Sequence, residues 1–164
     1  MDCATRAGVN TDFIFIEDIG SDGEYLYDLE NNPIEHMFKL YPWEWLAREE
    51  FIEAILNDKC KMVEPAWKMI LSNKGLLAIL WELFPEHQYL LPTYFSPQKL
   101  GSTYVKKPFL SREGQNVEII TNSEVEKAPG LYRSDFNVYQ ELSLLPKFDD
   151  VYAVVGAWVV GEEA

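Results

Sequence analysis

The stretch SNKGLLAILWELFP, residues 72–85, leaves the chain little local choice. Ser72 and Asn73 offer side-chain oxygens to the unpaired amides of a helix start, strong helix formers follow without a break, and Pro85 has no amide with which to continue. Lys74 then stands in the first helical turn. A cation there opposes the helix macrodipole by about 0.3 to 1 kcal/mol unless negative charge is also held at that end.

Upstream, WEWLAREEFIEAILND (43–58) places Trp43, Ala47, Phe51, Ala54 and Ile55 on one stripe, which predicts a single amphipathic helix. FIFIED (13–18) is β-branched and aromatic and reads as a buried strand. The turn signals Asp22-Gly23 and Asn31-Asn32-Pro33 separate two more strands, 25–29 and 34–40, which suggests a β-meander. Strand-like segments return at 103–109, 116–121, 136–142 and 151–160, broken by Gly, Pro, Asn and Asp clusters. Helices in the middle with strands on both sides predict an α+β fold. Neither an internal repeat nor a low-complexity linker divides the chain, so one compact unit is expected.

Charge removes whole classes of partner. Lys plus Arg number 14 against 27 Asp plus Glu, a net charge of -13, which repels nucleic acid and anionic lipid surfaces. No window approaches the roughly 18 apolar residues that cross a bilayer. Cys3 and Cys60 make neither a disulfide framework nor a metal spacing, and His36 and His87 stand alone, so a reducing, cytoplasmic setting is expected.

Against that acidity, KKPFLSREGQNVEII (106–120) crowds two lysines and an arginine into one segment. If 104–109 pairs with 116–120, SREG forms the mobile tip of a hairpin where Arg112 and backbone amides converge on an anion, with Lys107 on the rising strand within reach. Pro108 cannot donate to a ladder, which predicts an edge strand or one beside a cleft. An exposed hairpin whose lysines guard an edge against aggregation is, on these residues alone, the commoner explanation.

Six segments, FKLYPWEW, EPAWKMILSNKGLLAILWELFP, LFPEHQYLLPTYF, YVKKPFLSREGQNV, VYQELSLLPKF and VVGAWVVG, in this order resemble the glutathionylspermidine synthase family, specifically its ATP-grasp synthetase domain in members without an amidase domain. The resemblance runs from about residue 4 to the end and implies that residues 1–164 are one partial ATP-grasp-like domain, with a mixed or antiparallel sheet and packed helices. It implies an ATP-dependent carboxylate-amine ligase that forms an amide through an acyl phosphate, acting on a peptide-like acid with a polyamine as a candidate amine. ATP and Mg²⁺ are the implied cofactors.

Matched to the family pattern, Lys74 and Lys107 contact ATP phosphates, Arg112 stabilises charge on the transferring group, and Gly114 lets the tip fold over. Asn116 would anchor the far end of the tip. Gln140 and Glu141 fall on the hinge strand that meets the adenine edge. YPWEW is the family's aromatic block, and three close-set rings are more often packing than substrate contacts.

The carboxylate cluster that binds Mg²⁺ in the family lies upstream of the region resembled, so metal ligands are expected outside these residues and both ends look cut. Leu40 stands where the synthetase has a substrate-side threonine, which leaves the acid open. Two alternatives from other classes remain: a noncatalytic nucleotide- or polyamine-binding domain, and an aromatic-rich β module for carbohydrate.

Overall fold

The computed structural model describes residues 2–132, 135–157 and 161, and backbone contacts divide the chain into two compact units, Met1–Ser72 and Asn73–Ala164. Helices and antiparallel sheets combine as the α+β expectation requires.

In the first unit, helix α1 (Asp2–Arg6) precedes a hairpin of β1 (Gly20–Ser21) and β2 (Leu26–Tyr27). Strand β3 (His36–Phe38) leads through α2 (Trp43–Leu46) and α3 (Ile52–Leu56) to β4 (Lys61–Val63), and α4 (Met69–Ser72) closes the unit. The expected meander is not formed, because β3 leaves the hairpin and pairs in parallel with β4, Met37 opposite Met62. That pairing places the two half-buried methionines inward and His36, Phe38, Lys61 and Val63 outward, as the two-residue period of a strand demands.

Two further expectations fail here. FIFIED is no strand: Phe13 and Phe15 are exposed and stack edge-on, while Ile16–Asp18 curls into a 3-10 turn. No described strand pairs with it, and an extended segment without a partner leaves its amides unsatisfied by protein. Residues 43–58 form two short helices in place of one. Between them the amides of Arg48 and Glu49 donate to carbonyls three residues back, and the Tyr41 hydroxyl holds Glu49 Oε1 at 2.6 Å. Turns of period three move the buried position from Ala47, which is exposed, to Leu46, which is fully enclosed. Leu46 packs with Leu26, Trp43, Ala54, Ile55 and Cys60, so the first tryptophan of YPWEW serves the core.

The second unit begins with α5 (Gly75–Leu83). Among the described residues its sheet has five antiparallel strands: β5 (Thr93–Tyr94), β6 (Tyr104–Pro108), β7 (Glu118–Ile120), β8 (Val125–Lys127) and β9 (Asn137–Glu141), in the order β5-β9-β6-β7-β8. A small hairpin of β10 (Lys147–Phe148) and β11 (Val151–Tyr152) follows. The expected strand over 151–160 is limited to its first two residues, 153–157 are irregular, and 158–160 lie outside the described residues. Helix α5 contacts β5 and β9, and the Trp81 indole donates to the Tyr94 hydroxyl at 3.1 Å.

The hairpin of β6 and β7 forms as expected, with Lys106 opposite Glu118. Pro108, however, does not mark an edge, because β6 is the central strand. The amide of Phe109 points to β9 and donates to Phe136, so the nitrogen of Pro108 points the other way, toward β7, whose pairing has already ended at Lys106. A proline is harmless where the neighbouring strand has splayed off.

Register also separates the two adjacent lysines. Lys106, Glu118 and Lys127 line up across three strands on one face, with Glu118 accepting from Lys127 at 2.8 Å and from Lys106 at 3.3 Å. The Lys127 bond, then that from Lys106, hold the Glu118 carboxyl below the ordinary glutamate value of 4.5, against the opposing effect of partial burial. A depressed carboxylate stabilises the fold above its unfolded pKa and loses that contribution as pH falls through the folded one. Glu118→Gln is therefore expected to lower stability by less than about 1 kcal/mol at pH 7 and to erase the difference from wild type by about pH 3, as read by urea unfolding at the two pH values.

Candidate functional site

Lys107 faces away from Lys106, on the face that holds Val105, Val138, Gln140 and Thr93. Its ammonium donates to Gln140 Oε1. Among the described residues no carboxylate lies within ion-pair distance of it, and burial pushes its pKa below the ordinary 10.5. A half-buried cation facing only a neutral amide is electrostatically incomplete, so an anion placed there recovers part of the lost hydration.

Gln140 is itself buried, at 7% exposure, and its Nε2 donates to Thr93 Oγ1 at 2.9 Å. Glu141 is exposed, on the opposite face beside Tyr104, and its backbone amide is taken by the Pro92 carbonyl at 2.9 Å. Of the two hinge-strand residues, only Gln140 joins Lys107 through its side chain.

Lys74 is the residue immediately before α5, at its N-cap. Its amide donates to the Phe109 carbonyl at 2.8 Å, which ties the helix start to the end of β6. The Asn73 side chain accepts from the Gly75 amide at 2.8 Å, so the cap signal read from the sequence is used. The amides of Leu76 and Leu77 donate to the carbonyls of Asn73 and Lys74, which leaves no open donor in that first turn. The lysine side chain turns instead to the hairpin tip, where Nζ meets the Ser111 carbonyl at 2.6 Å and its hydroxyl at 3.0 Å. Those two oxygens supply the negative partial charge that a cation at a helix start requires.

The tip runs from Ser111 to Asn116. Glu113, Gly114 and Asn116 have left-handed backbones, and Gly114 is the type that adopts this without strain. The amides of Gln115, Asn116 and Val117 donate to Arg112, Ala128 and Gly114, and those of Glu113 and Gly114 remain open among the described residues. Adjacent open amides in a left-handed turn form a concave donor site suited to an anion. Arg112 is exposed at this tip. Asn116 anchors the far end, its Nδ2 donating to the Gly130 carbonyl at 3.3 Å.

The structure therefore gathers Lys107 with Gln140, and Lys74 with the tip that carries Arg112 and Gly114. Both lysines act on one stretch of chain, since Ser111 lies four residues beyond Lys107. Thr93 and Gly130 were not legible as parts of this arrangement, nor was the bond from Lys74 to Ser111, because each depends on a partner far along the chain. A separate shallow depression of about 310 Å³ in the first unit is lined by Tyr25, Ile34, His36, Lys59 and Lys61 and includes none of these residues.

Among the described residues no three His, Cys, Asp or Glu side chains gather as a metal site, so the described residues do not fit Mg²⁺ by themselves. No described helix is long and apolar enough to cross a membrane.

An antiparallel sheet with a partly buried ammonium on one face, and a lysine-held hairpin tip at the end of its central strand, define an α+β protein whose cations gather around one stretch of chain. The glutathionylspermidine synthase preATP-grasp family matches this sequence over residues 1–164, and the chain belongs to that family. It is 47% identical over 175 aligned positions to a Haemophilus influenzae protein with the provisional name acid–amine ligase, covering 99% of this chain and 44% of that protein. It is 37% identical over 114 positions to the bifunctional glutathionylspermidine synthetase/amidase of Escherichia coli, covering 67% of this chain and 18% of that enzyme. To the trypanothione synthetase of Crithidia fasciculata it is 27% identical over 164 positions, covering 84% and 25%. The chain thus spans less than half the length of each of these relatives.

Proposed function

We propose that the chain is part of an ATP-dependent carboxylate–amine ligase of ATP-grasp type and contributes its phosphate-facing side. The observation that carries this reading is the Lys107 ammonium, half-buried on the sheet and facing, among the described residues, the neutral Gln140 amide and no carboxylate, in a chain of this family. ATP supplies the chemistry by converting a carboxylate, from which oxygen is a poor leaving group, into an acyl donor that releases phosphate when an amine attacks.

In this reading Lys107 and Lys74 carry the nonreacting phosphates and Arg112 offsets the charge of the transferring group. The open amides of Glu113 and Gly114 add donors at the tip, and the left-handed Gly114 lets it fold over and exclude water. Gln140 lies beside the nucleotide through Lys107, whereas Glu141, on the other face with its amide bonded to Pro92, is given no adenine contact. The names of the synthetase relatives suggest a glutathione-like peptide as the acid and a polyamine as the amine.

The test is ADP release by the protein that carries this chain, supplied with MgATP, a panel of peptide-like acids and spermidine. The expected result is release that requires both an acid and the amine. ATP-dependent thermal stabilisation without any ADP release across the panel would replace the ligase reading with that of a nucleotide-binding module.

A further inference from the structure

The side chain of Gln140 can be read in one orientation only, and two independent constraints agree on it. A lysine ammonium donates and never accepts, so the atom of Gln140 that faces Lys107 is the carbonyl oxygen. At the other end the Leu91 carbonyl only accepts, so the Thr93 hydroxyl spends its single proton there, at 2.8 Å. The Thr93 oxygen must then receive its second bond from a donor, and the Gln140 amide nitrogen is that donor, at 2.9 Å. The result is a one-way chain of donors running from Lys107 through Gln140 and Thr93 to a backbone carbonyl.

Register explains why the chain closes. Thr93 on β5 lies directly opposite Gln140 on β9, and Gln140 lies opposite Val105 on β6, two residues before Lys107 on the same face. Thr93 is 1% exposed and Gln140 nearly as enclosed, so water does not compete freely for either. Bonds arranged head to tail in such a setting polarise one another.

We infer that Thr93 is a positioning residue, which locks the Gln140 amide with its oxygen toward Lys107 and so fixes where the ammonium is presented. Without the Thr93 hydroxyl the Gln140 nitrogen loses its acceptor, the amide is free to turn over, and a turned amide offers the ammonium two N–H groups in place of an oxygen. Thr93 touches no nucleotide in this scheme. Its effect on nucleotide rests on the phosphate-binding role proposed for Lys107.

The experiment uses Thr93→Val, which keeps the shape and removes the hydroxyl, Thr93→Ser, which restores it, and Gln140→Met, which removes both ends of the amide. Two readouts are taken. The first, without nucleotide, is the nitrogen-15 signal of the Lys107 ammonium, assigned by its loss in Lys107→Met and slowed in hydrogen exchange by its fixed acceptor. It is expected to persist in wild type and Thr93→Ser and to broaden beyond detection in Thr93→Val.

The second is ATP affinity by titration calorimetry. Thr93→Val and Gln140→Met are each expected to weaken it about fivefold to tenfold, the double variant no further, and Thr93→Ser by less than about twofold. A protected ammonium in folded Thr93→Val, or multiplicative losses in the double variant, would overturn the inference. Should Thr93→Val not fold, Thr93→Ala, which also removes the hydroxyl, carries both readouts against Thr93→Ser. A wild-type protein that binds no ATP while its ammonium signal still depends on the Thr93 hydroxyl would sink the nucleotide reading and uphold the positioning.

Discussion

On the proposed ligase reading, replacing Lys107 by Met in the protein that carries this chain is expected to cut amide formation by about two to three orders of magnitude while changing unfolding free energy by no more than about 1 kcal/mol. The two effects separate because the ammonium does little for the fold. It is half-buried without a counter-charge, which costs hydration, and its loss leaves the Gln140 oxygen without a donor, which costs a hydrogen bond. The terms oppose one another.

Burial lowers the Lys107 pKa, so folding disfavours its charged form. That penalty is complete below the lowered folded pKa, where both states hold the proton, and it is relieved as pH rises from there toward the unfolded value of 10.5. Wild type should gain stability relative to Lys107→Met as pH rises from neutral toward 10.5, as followed by paired melting curves. A variant with full turnover would remove Lys107 from the site, and one that fails to fold would mean the ammonium holds the sheet together.

Gly130→Ala is expected to destabilise by about 1 to 3 kcal/mol, although the position is exposed and lies outside every strand. A Cβ built there would overlap Asn116 Oδ1 and stand 2.5 Å from Gln115 Cβ. These neighbours are not free to retreat. Asn116 Nδ2 donates to the Gly130 carbonyl at 3.3 Å, the Leu131 amide donates to Gln115 Oε1 at 3.1 Å, and the Asn116 amide donates to Ala128 at 3.2 Å. Residues 128–131 therefore clasp the base of the hairpin tip, and a methyl group pries the clasp open. Limited proteolysis is expected to cut the variant between 111 and 117 before wild type. Equal resistance and an unchanged melting temperature would show that the clasp has slack.

The helix at 75–83 and the hairpin around the Ser111–Gly114 tip were legible because their signals are local. A cap residue bonds two positions along, a proline stops its own helix, and a hairpin pairs segments a few residues apart. Pro108 misled for an instructive reason. The missing amide was read correctly, but whether an amide is needed depends on which neighbour that side of the strand meets, and β9 reaches β6 from more than twenty residues away. Ala47 and Leu46 exchanged roles because the turns between the two short helices bond three residues back, tighter than the period assumed for one regular helix. FIFIED carried strand-forming residues but pairs with no described strand.

At the candidate site the division is similar. Lys74, Lys107, Arg112, Gly114 and Gln140 were marked by the sequence pattern, whereas which of them meet, and the part of Thr93, were not. That Lys74 is turned to Ser111, that Gln140 is buried and oriented by Thr93, and that Glu141 faces the other way all follow from strand register. A register shift of one residue would exchange the faces of Lys106 and Lys107 and give the buried position to the wrong lysine.

Residue order alone settled the net acidity, the α+β class, the capped helix and the family pattern. Tertiary structure decided which cation is buried, what it faces and which strand stands at the centre of the sheet. The reason is one of range: caps, prolines and side-chain alternation act within a few residues, whereas burial and hydrogen-bond partners belong to groups that meet only after distant strands have paired.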